Sequence, residues 1–326
     1  MDTFVDSSWY FLRYCDARND DAAWDADIVD RWMPVDQYIG GVEHAILHLM
    51  YARFFTKALA DLGLLSFQEP FAKLFTQGMI TRDGAKMSKS KGNVISPREV
   101  VEPYGADTAR CYILYIGPPE QDADWSDEGV GGIHRFLSRL WVATNEAPAA
   151  AGSSSAGPTG EPTELLRKAH WAIDKVTRDM ERFAFNTAIA AVIELVNEIY
   201  RSRDALVETA EGASQLRFAL GTAGSLIFPF APHLGAEVFE SMTGGRVWEE
   251  PWPKADPELL SSESFELIVQ VNGKLRDRVL APAEASQEEL EQIARASEKV
   301  AAYLDGAELL KTVVVPGRLV NFVVRG

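Results

Sequence analysis

The hydrophobic and polar positions change period along the chain, and each period predicts a different kind of element. In "YIGGVEHAILHLMYARFFTKALADLG" an apolar run and two glycines precede a series at helical spacing from Val42, which stops at Gly63. That order predicts a strand, a glycine turn and a long helix. "FAKLFTQGMI" reads as another short strand, and "SPREVVEPYGADTARCYILYIGPP" as helix, turn, helix up to the break at Pro118 and Pro119. Strands alternating with helices predict an α/β layer. From Trp125 the period is helical throughout, with segments near 127–146, 163–182, 186–203 and 213–242. Past Pro253 it alternates: "SFELIVQVNGKLRDRVLAP" turns about Asn272-Gly273, a strong hairpin signal. "SQEELEQIARASEKVAAYL" is an amphipathic helix with Ser286 and Glu289 spaced as a capping box, and "TVVVPGRLVNFVVR" closes with a hairpin turning at Pro316-Gly317.

These changes of period divide the chain into an α/β region (1–120), a helical region (121–258) and a small α+β module (263–326). At about 60 residues the last is near the lower limit for independent folding. The small-residue, Gly/Pro stretch 147–162 is expected to be a mobile excursion within the helical region. "MDTFVDSSWYFLRY" is aromatic from its start and reads as interior sequence, with no cap or leader.

Composition narrows the class. A chain of 326 residues that is 47% apolar can bury two or three cores. It has no apolar run of about 18 residues and no signal-peptide pattern, so no membrane association and a cytoplasmic location are expected. Cys15 and Cys111 stand far apart without zinc-ligand spacing, which argues against disulfides and metal sites. A formal charge of −16 excludes coating of nucleic acid by bulk charge, but not contact through a local basic patch.

Against that acidity, "GAKMSKSKGN" (84–93) places Lys86, Lys89 and Lys91 between Gly84 and Gly92 after a predicted strand. Lysines, serines and free N–H groups on a mobile loop suit closure over phosphates and neutralisation of charge as pyrophosphate departs. A solvated basic loop is the plain alternative. In "GGVEHAILH" (40–48), His44 and His48 stand one helical turn apart. Ala45 occupies the place where a zinc protease has glutamate, and no third ligand is evident, so a metal pair is disfavoured against two histidines on a core face. Gly40 and Gly41 allow close backbone approach to a ligand, and Glu43 in the first helical turn is placed to accept hydrogen bonds from ribose hydroxyls. Lys274, Arg276, Arg278, Lys311, Arg318 and Arg325 concentrate basic charge in the tail, where a solvated face is the common meaning.

"KMSKS" (86–90) is similar to the signature loop of class I aminoacyl-tRNA synthetases. The resemblance implies that Lys86 and Lys89 hold the ATP phosphates and stabilise the transition state of adenylate formation. Gly40, Gly41, Glu43, Met79, Met87, Ser88 and Ser90 complete the implied ATP-binding set. Along its whole length the chain resembles the C-terminal part of bacterial leucyl-tRNA synthetases, through "MDTFVDSSWYF", "DQYIGGVEHAILHLMYARFF", "DGAKMSKSKGN", "YGADTAR", "FNTAIA", "FPFAPH", "EPWP", "VQVNGKLR" and "VPGRLVNFVV", in that order.

The implied fold is a partial, Rossmann-like nucleotide-binding α/β region, then an α-helical anticodon-binding bundle and a small α+β C-terminal domain. Phe4, Ser7, Tyr10, His44 and His48 correspond to the leucine pocket. Lys274, Arg276 and Arg318 are expected tRNA contacts, and "FPFAPH", which reads as a helix-end turn, belongs to the implied anticodon-stem clasp. The implied substrates are leucine, tRNA(Leu) and ATP with Mg²⁺, with no protein-bound metal. Without the resemblance, leucine is not separable from valine, isoleucine or methionine, because a methylene contributes only about 1–3 kcal/mol. A valyl or isoleucyl enzyme remains an alternative that the "VNGKLR" tail and the Phe4–Tyr10 string disfavour.

The His-Ile-Gly-His signature and the editing domain of these enzymes have no counterpart here, and Met1 falls where the family's chain re-enters the catalytic domain after the editing insertion. No insertion separates Met79 from Gly84, where some members carry an extra domain. The expectation is a fragment, a truncated gene model or one subunit of a split enzyme. It would be nearly inactive alone and would need a separate polypeptide carrying the N-terminal half. The rival is a non-catalytic tRNA-binding remnant or regulatory module.

Overall fold

Gly40 and Gly41 carry a strand directly into a helix. The computed structural model describes residues 4–148, 157–260, 264–282, 285–315 and 318–325. In it Tyr38–Gly41 pairs in parallel with Leu74–Gln77, and the helix Val42–Ile46 follows with Gly41, still extended, as its N-cap. The expected glycine turn is therefore the last strand residue. The long helix that follows is also interrupted: Leu47 (φ −106°, ψ −84°) separates Val42–Ile46 from His48–Asp61, which ends as expected before Gly63 at φ +76°.

"FAKLFTQGMI" forms two strands in different sheets rather than one. Leu74–Gln77 belongs to the parallel pair, whereas Ile80–Arg82 lies between Ala85–Lys86 (antiparallel) and Ala123–Asp124 (parallel). The chain changes sheet at Gly78, where a Cβ would fall 2.1 Å from the Gln121 carbonyl, so only glycine fits. The helices Pro97–Tyr104 and Ala106–Tyr115 form the expected helix, turn, helix about Gly105, and they make the crossover between the parallel strands Ile80–Arg82 and Ala123–Asp124. A small core of Phe11, Leu12, Val29, Met33, Ala52 and Leu65 packs the short helices Tyr10–Cys15 and Ala26–Trp32 against the helix His48–Asp61.

The helical region consists of Asp127–Asn145, Glu164–Glu181, Phe185–Leu206, Ala210–Ile227 and Pro232–Thr243. The single segment expected over 213–242 is two helices, because Pro229 and Pro232 lack the N–H a continuous helix needs, and Pro232 starts the second at its first position. The large core of this region also takes in Val100, Cys111 and Tyr112, so both crossover helices rest on the bundle.

In the tail the sheet order is Lys274–Pro282, Ser264–Val271, Leu319–Arg325, Glu308–Val315, with antiparallel outer pairs around a parallel central pair. Asn272 and Gly273 both take positive φ (51° and 74°), as a tight two-residue hairpin requires. The Ser286–Glu289 capping box forms, but the helix it opens stops at Ala296; Ser297 caps a second helix, Glu298–Leu304, by accepting the Val300 N–H. Leu267, Val269, Val320 and Phe322 pack with Leu290, Ala294 and Val300 as a separate core. The second hairpin's strands pair as expected; its Pro316-Gly317 turn and residues 149–156 of the small-residue stretch lie outside the described residues. Among the described residues no helix is long and apolar enough to cross a membrane.

Candidate functional site

The lysine loop grows out of a tight hairpin. Asp83 and Gly84 both have positive φ, and the Asp124 carboxylate accepts from the Thr81 hydroxyl (2.7 Å) and the Gly84 N–H (3.1 Å). Those two bonds hold the Asp124 carboxyl below the usual carboxylate range. Beyond Lys86 the chain stays extended through Ser88, whose hydroxyl accepts the Lys91 N–H and so caps a 3₁₀ turn over Lys89–Lys91 that Gly92 (φ +67°) ends. Ser88 and Ser90 hydroxyls are 3.0 Å apart. Lys86 Nζ reaches across to Glu43 Oε1 at 2.8 Å, and this bond keeps the Glu43 carboxyl below its ordinary range. Lys89 and Lys91 have no carboxylate partner among the described residues.

Lys86 thus joins the loop to the "GGVEH" segment. A Cβ at Gly40 would lie 3.2 Å from the His44 ring, so the glycine makes room for that ring. Met79, between the two sheets, donates its N–H to the Asp122 carboxylate and accepts from the Ala123 N–H, which ties it to the segment leading into the Ala123–Asp124 strand.

The break at Leu47 turns His48 so that the two histidine rings stand perpendicular with centroids 4.6 Å apart. Burial depresses the His48 pKa, so the ring is neutral and carries one proton. Its Nε2 faces the Ser7 carbonyl, a pure acceptor, so the proton is there and Nδ1 accepts from the Tyr38 hydroxyl at 3.3 Å. Tyr38 in turn accepts from Tyr10 at 3.0 Å, and burial raises the Tyr38 pKa well above the usual phenol value. Hydrogen bonds therefore run from Tyr10 through Tyr38 and His48 to Ser7. Phe4 stacks on Tyr51 (5.4 Å) beside them, and His44 Nδ1 is buried with no hydrogen-bond partner. All five residues named for the amino-acid pocket are in or next to this cluster. Tyr38, at its centre, was not foreseen; its signal was an aromatic residue two positions before the paired glycines.

In the tail, the Arg276 guanidinium lies over the Tyr303 ring (4.0 Å) and bonds its hydroxyl, so this side chain packs rather than projecting freely. Lys274 and Arg318 are exposed with no acidic partner among the described residues, whereas Arg278 pairs with Glu266. No group of three or more His, Cys, Asp or Glu able to hold a metal occurs among the described residues.

Comparison with known proteins fits this arrangement. The model of the class I tRNA synthetases (I, L, M and V) matches residues 3–126, and that of the anticodon-binding domain of tRNA ligases matches residues 163–293. The leucine–tRNA ligase of Pseudothermotoga lettingae is 49% identical over 325 residues, which are 99% of this chain and 40% of that protein. That of Symbiobacterium thermophilum is 46% identical over 359 residues, 100% of this chain and 42% of its own length. The chain therefore spans about 40% of the length of these curated relatives. Among solved structures, the ternary complex of Agrobacterium radiobacter K84 agnB2 LeuRS with tRNA and LeuAMS aligns with a TM-score of 0.78 at 36% identity, covering 100% of this chain and 43% of that one. Mycobacterium tuberculosis methionyl-tRNA synthetase shares the fold over 78% of this chain and 54% of its own, at 19% identity and a TM-score of 0.57. With both family models matched and leucine–tRNA ligases 46–49% identical along 99–100% of this chain, the chain belongs to the class I tRNA synthetase family and corresponds to about 40% of the length of its leucine–tRNA ligase relatives.

Proposed function

We propose that this chain supplies the lysine loop, one side of the ATP and leucine sites and much of the tRNA grip of a leucine–tRNA ligase. The observation that carries the reading is the Lys86–Glu43 bond, which brings the loop onto the segment that also holds Gly40, Gly41, His44 and His48. Lys86 and Lys89, with the Met87, Ser88 and Ser90 loop groups, meet the ATP phosphates, while Gly40, Gly41, Glu43 and Met79 meet the adenosine. ATP enters with Mg²⁺, which shields its phosphates.

A leucine carboxylate oxygen attacks the α-phosphorus and the bond to the bridging oxygen breaks. The loop ammonium groups stabilise the charge that develops on the departing pyrophosphate. A ribose hydroxyl of the tRNA 3′ adenosine then takes the leucyl group and AMP leaves. No side chain has to act as a dedicated base; positioning and charge carry the rate. The neutral His48, fixed between Tyr38 and Ser7, and the perpendicular His44 limit the depth of an apolar pocket beside Phe4 and Tyr10, which suits a branched aliphatic side chain.

The partners follow from what the chain leaves uncovered. Ile46, Met50 and Phe54 recur at four-residue spacing and are 69%, 63% and 70% exposed, next to a parallel strand pair. Parallel sheets are ordinarily covered on both faces. The occupant of that stripe is the remaining part of the catalytic domain, on this polypeptide or another. tRNA(Leu) contacts fall on the bundle and on exposed tail residues such as Lys274 and Arg318, with Arg276 holding the tail in shape. The setting is cytoplasmic, where tRNA charging takes place.

The test is leucine-dependent ATP–pyrophosphate exchange by the purified chain, alone and mixed with a polypeptide containing the other catalytic half. Exchange is expected only in the mixture, and Lys89→Ala abolishes it. A silent mixture that still binds tRNA would instead leave a tRNA-binding remnant.

A further inference from the structure

Asn93 lies just beyond the lysine loop and has no part in the phosphate contacts described above, yet its side chain makes two bonds into the loop. Its Oδ1 accepts the Ser88 N–H at 2.9 Å, and its Nδ2 donates to the Lys86 carbonyl at 3.3 Å. The two loop groups flank Met87, one a donor and one an acceptor, so the carboxamide has only one sensible orientation. A neighbouring strand in a parallel ladder offers the same pair of groups, one N–H and one C=O, to the residues on either side of its partner. Asn93 therefore replaces a strand where no backbone is present.

The bridge sits at a decisive point. Lys86 is the last strand residue, paired with Thr81, and its side chain runs to Glu43. Two residues on, Ser88 caps the turn that carries Lys89. Gly92, in the left-handed region, reverses the chain so that Asn93 comes back against the segment it follows. One side chain thus sets the exit direction of Lys86 and the start of the turn bearing Lys89, and with it the spacing between the two ammonium groups.

We infer that Asn93 is the positioning residue of the lysine loop, holding Lys86 and Lys89 in register for the departing pyrophosphate by bridging the backbone around Met87. This rests on the phosphate-clamp reading above. Aspartate at this position keeps the acceptor for Ser88 and loses the donor for Lys86, so it should restore the bridge only in part; alanine loses both.

The experiment compares Asn93→Ala, Asn93→Asp and Lys89→Ala in two assays. In the chain alone, trypsin cleavage after Lys86, Lys89 and Lys91 reads the loop directly, because cleavage follows the population of the open form. Asn93→Ala is expected to be cut about tenfold faster with the Tm unchanged, and Asn93→Asp at an intermediate rate. In leucine-dependent exchange with the other catalytic half present, Asn93→Ala is expected to lower kcat roughly a hundredfold while the KM for ATP stays within about threefold, as displacement of a charge-stabilising group by about an ångström would do.

Unchanged cleavage in Asn93→Ala overturns the bridge. Faster cleavage with unchanged kcat, when Lys89→Ala is inactive, overturns the positioning role. A lowered Tm with kcat and KM both impaired makes Asn93 a fold-stabilising residue and overturns it as well. If Lys89→Ala leaves exchange intact, the phosphate-clamp reading is the one that fails and the catalytic role of Asn93 falls with it, while the trypsin result still decides the bridge.

Discussion

His48 and His170 are both held neutral by burial, and each uses Nδ1 as an acceptor, His48 from Tyr38 and His170 from the Asp256 N–H at 3.0 Å. Burial lowers both pKa values in the folded chain, so below about 6.5 the unfolded chain binds more protons than the folded one. The stability these rings contribute is full above that pH and is lost as pH falls through the lowered folded values. The Tm of the chain should therefore drop between about pH 7 and 5, and more shallowly in His170→Gln, where no proton can be taken up. A slope identical to that of the parent chain would show that His170 is not linked to folding. At this scale the sequence exposed residue types but not pairings. The two histidines, the two glycines, Glu43 and the lysines could be named from their spacing, whereas the Tyr10–Tyr38–His48–Ser7 chain depends on a break at Leu47 that no glycine or proline announces. Asn93 was hidden for the same reason, since its bonds go to backbone groups.

Elements were legible wherever backbone chemistry dictates them. Asn272-Gly273 turned as written, Ser286 and Glu289 closed their capping box, and the helices on either side of Gly105 formed where expected. Boundaries set by other parts of the fold were not legible. Ala231 cannot cap the Pro232–Thr243 helix, and Asp107, more than a hundred residues earlier, does so instead by accepting the Leu234 N–H at 2.7 Å and pairing with His233 at 2.8 Å. That helix also lies unusually close to its predecessor. A Cβ at Gly235 would fall 2.7 Å from Phe228 Cα and 2.9 Å from the Gly224 carbonyl oxygen, and both are backbone atoms that cannot swing aside. Gly235→Ala should therefore force the two helices apart and cost about 1–3 kcal/mol, typical of overpacking, measurable by urea denaturation. A loss under about 0.5 kcal/mol would mean that the helix pair tolerates separation.

For the whole molecule, the apolar stripe on Val42–Ile46 and His48–Asp61 separates stability from assembly. Met50 and Phe54 face solvent in this chain, so replacing either with aspartate removes no buried contact and should change its unfolding free energy by no more than about 0.5 kcal/mol. If the rest of the catalytic domain covers the stripe, the same aspartate would be buried without a partner in the assembled site, a far larger penalty. Phe54→Asp should then leave the Tm of the isolated chain and its binding of tRNA intact while abolishing exchange activity on addition of the other half. Met50→Asp, one turn nearer the histidine cluster, should do the same. Loss of Tm in the chain alone would show that the stripe already packs within this polypeptide. Full activity in the mixture would place the covering half elsewhere, with the open edges of the Tyr38–Gly41 and Leu74–Gln77 pair as the remaining route for a parallel sheet to become enclosed.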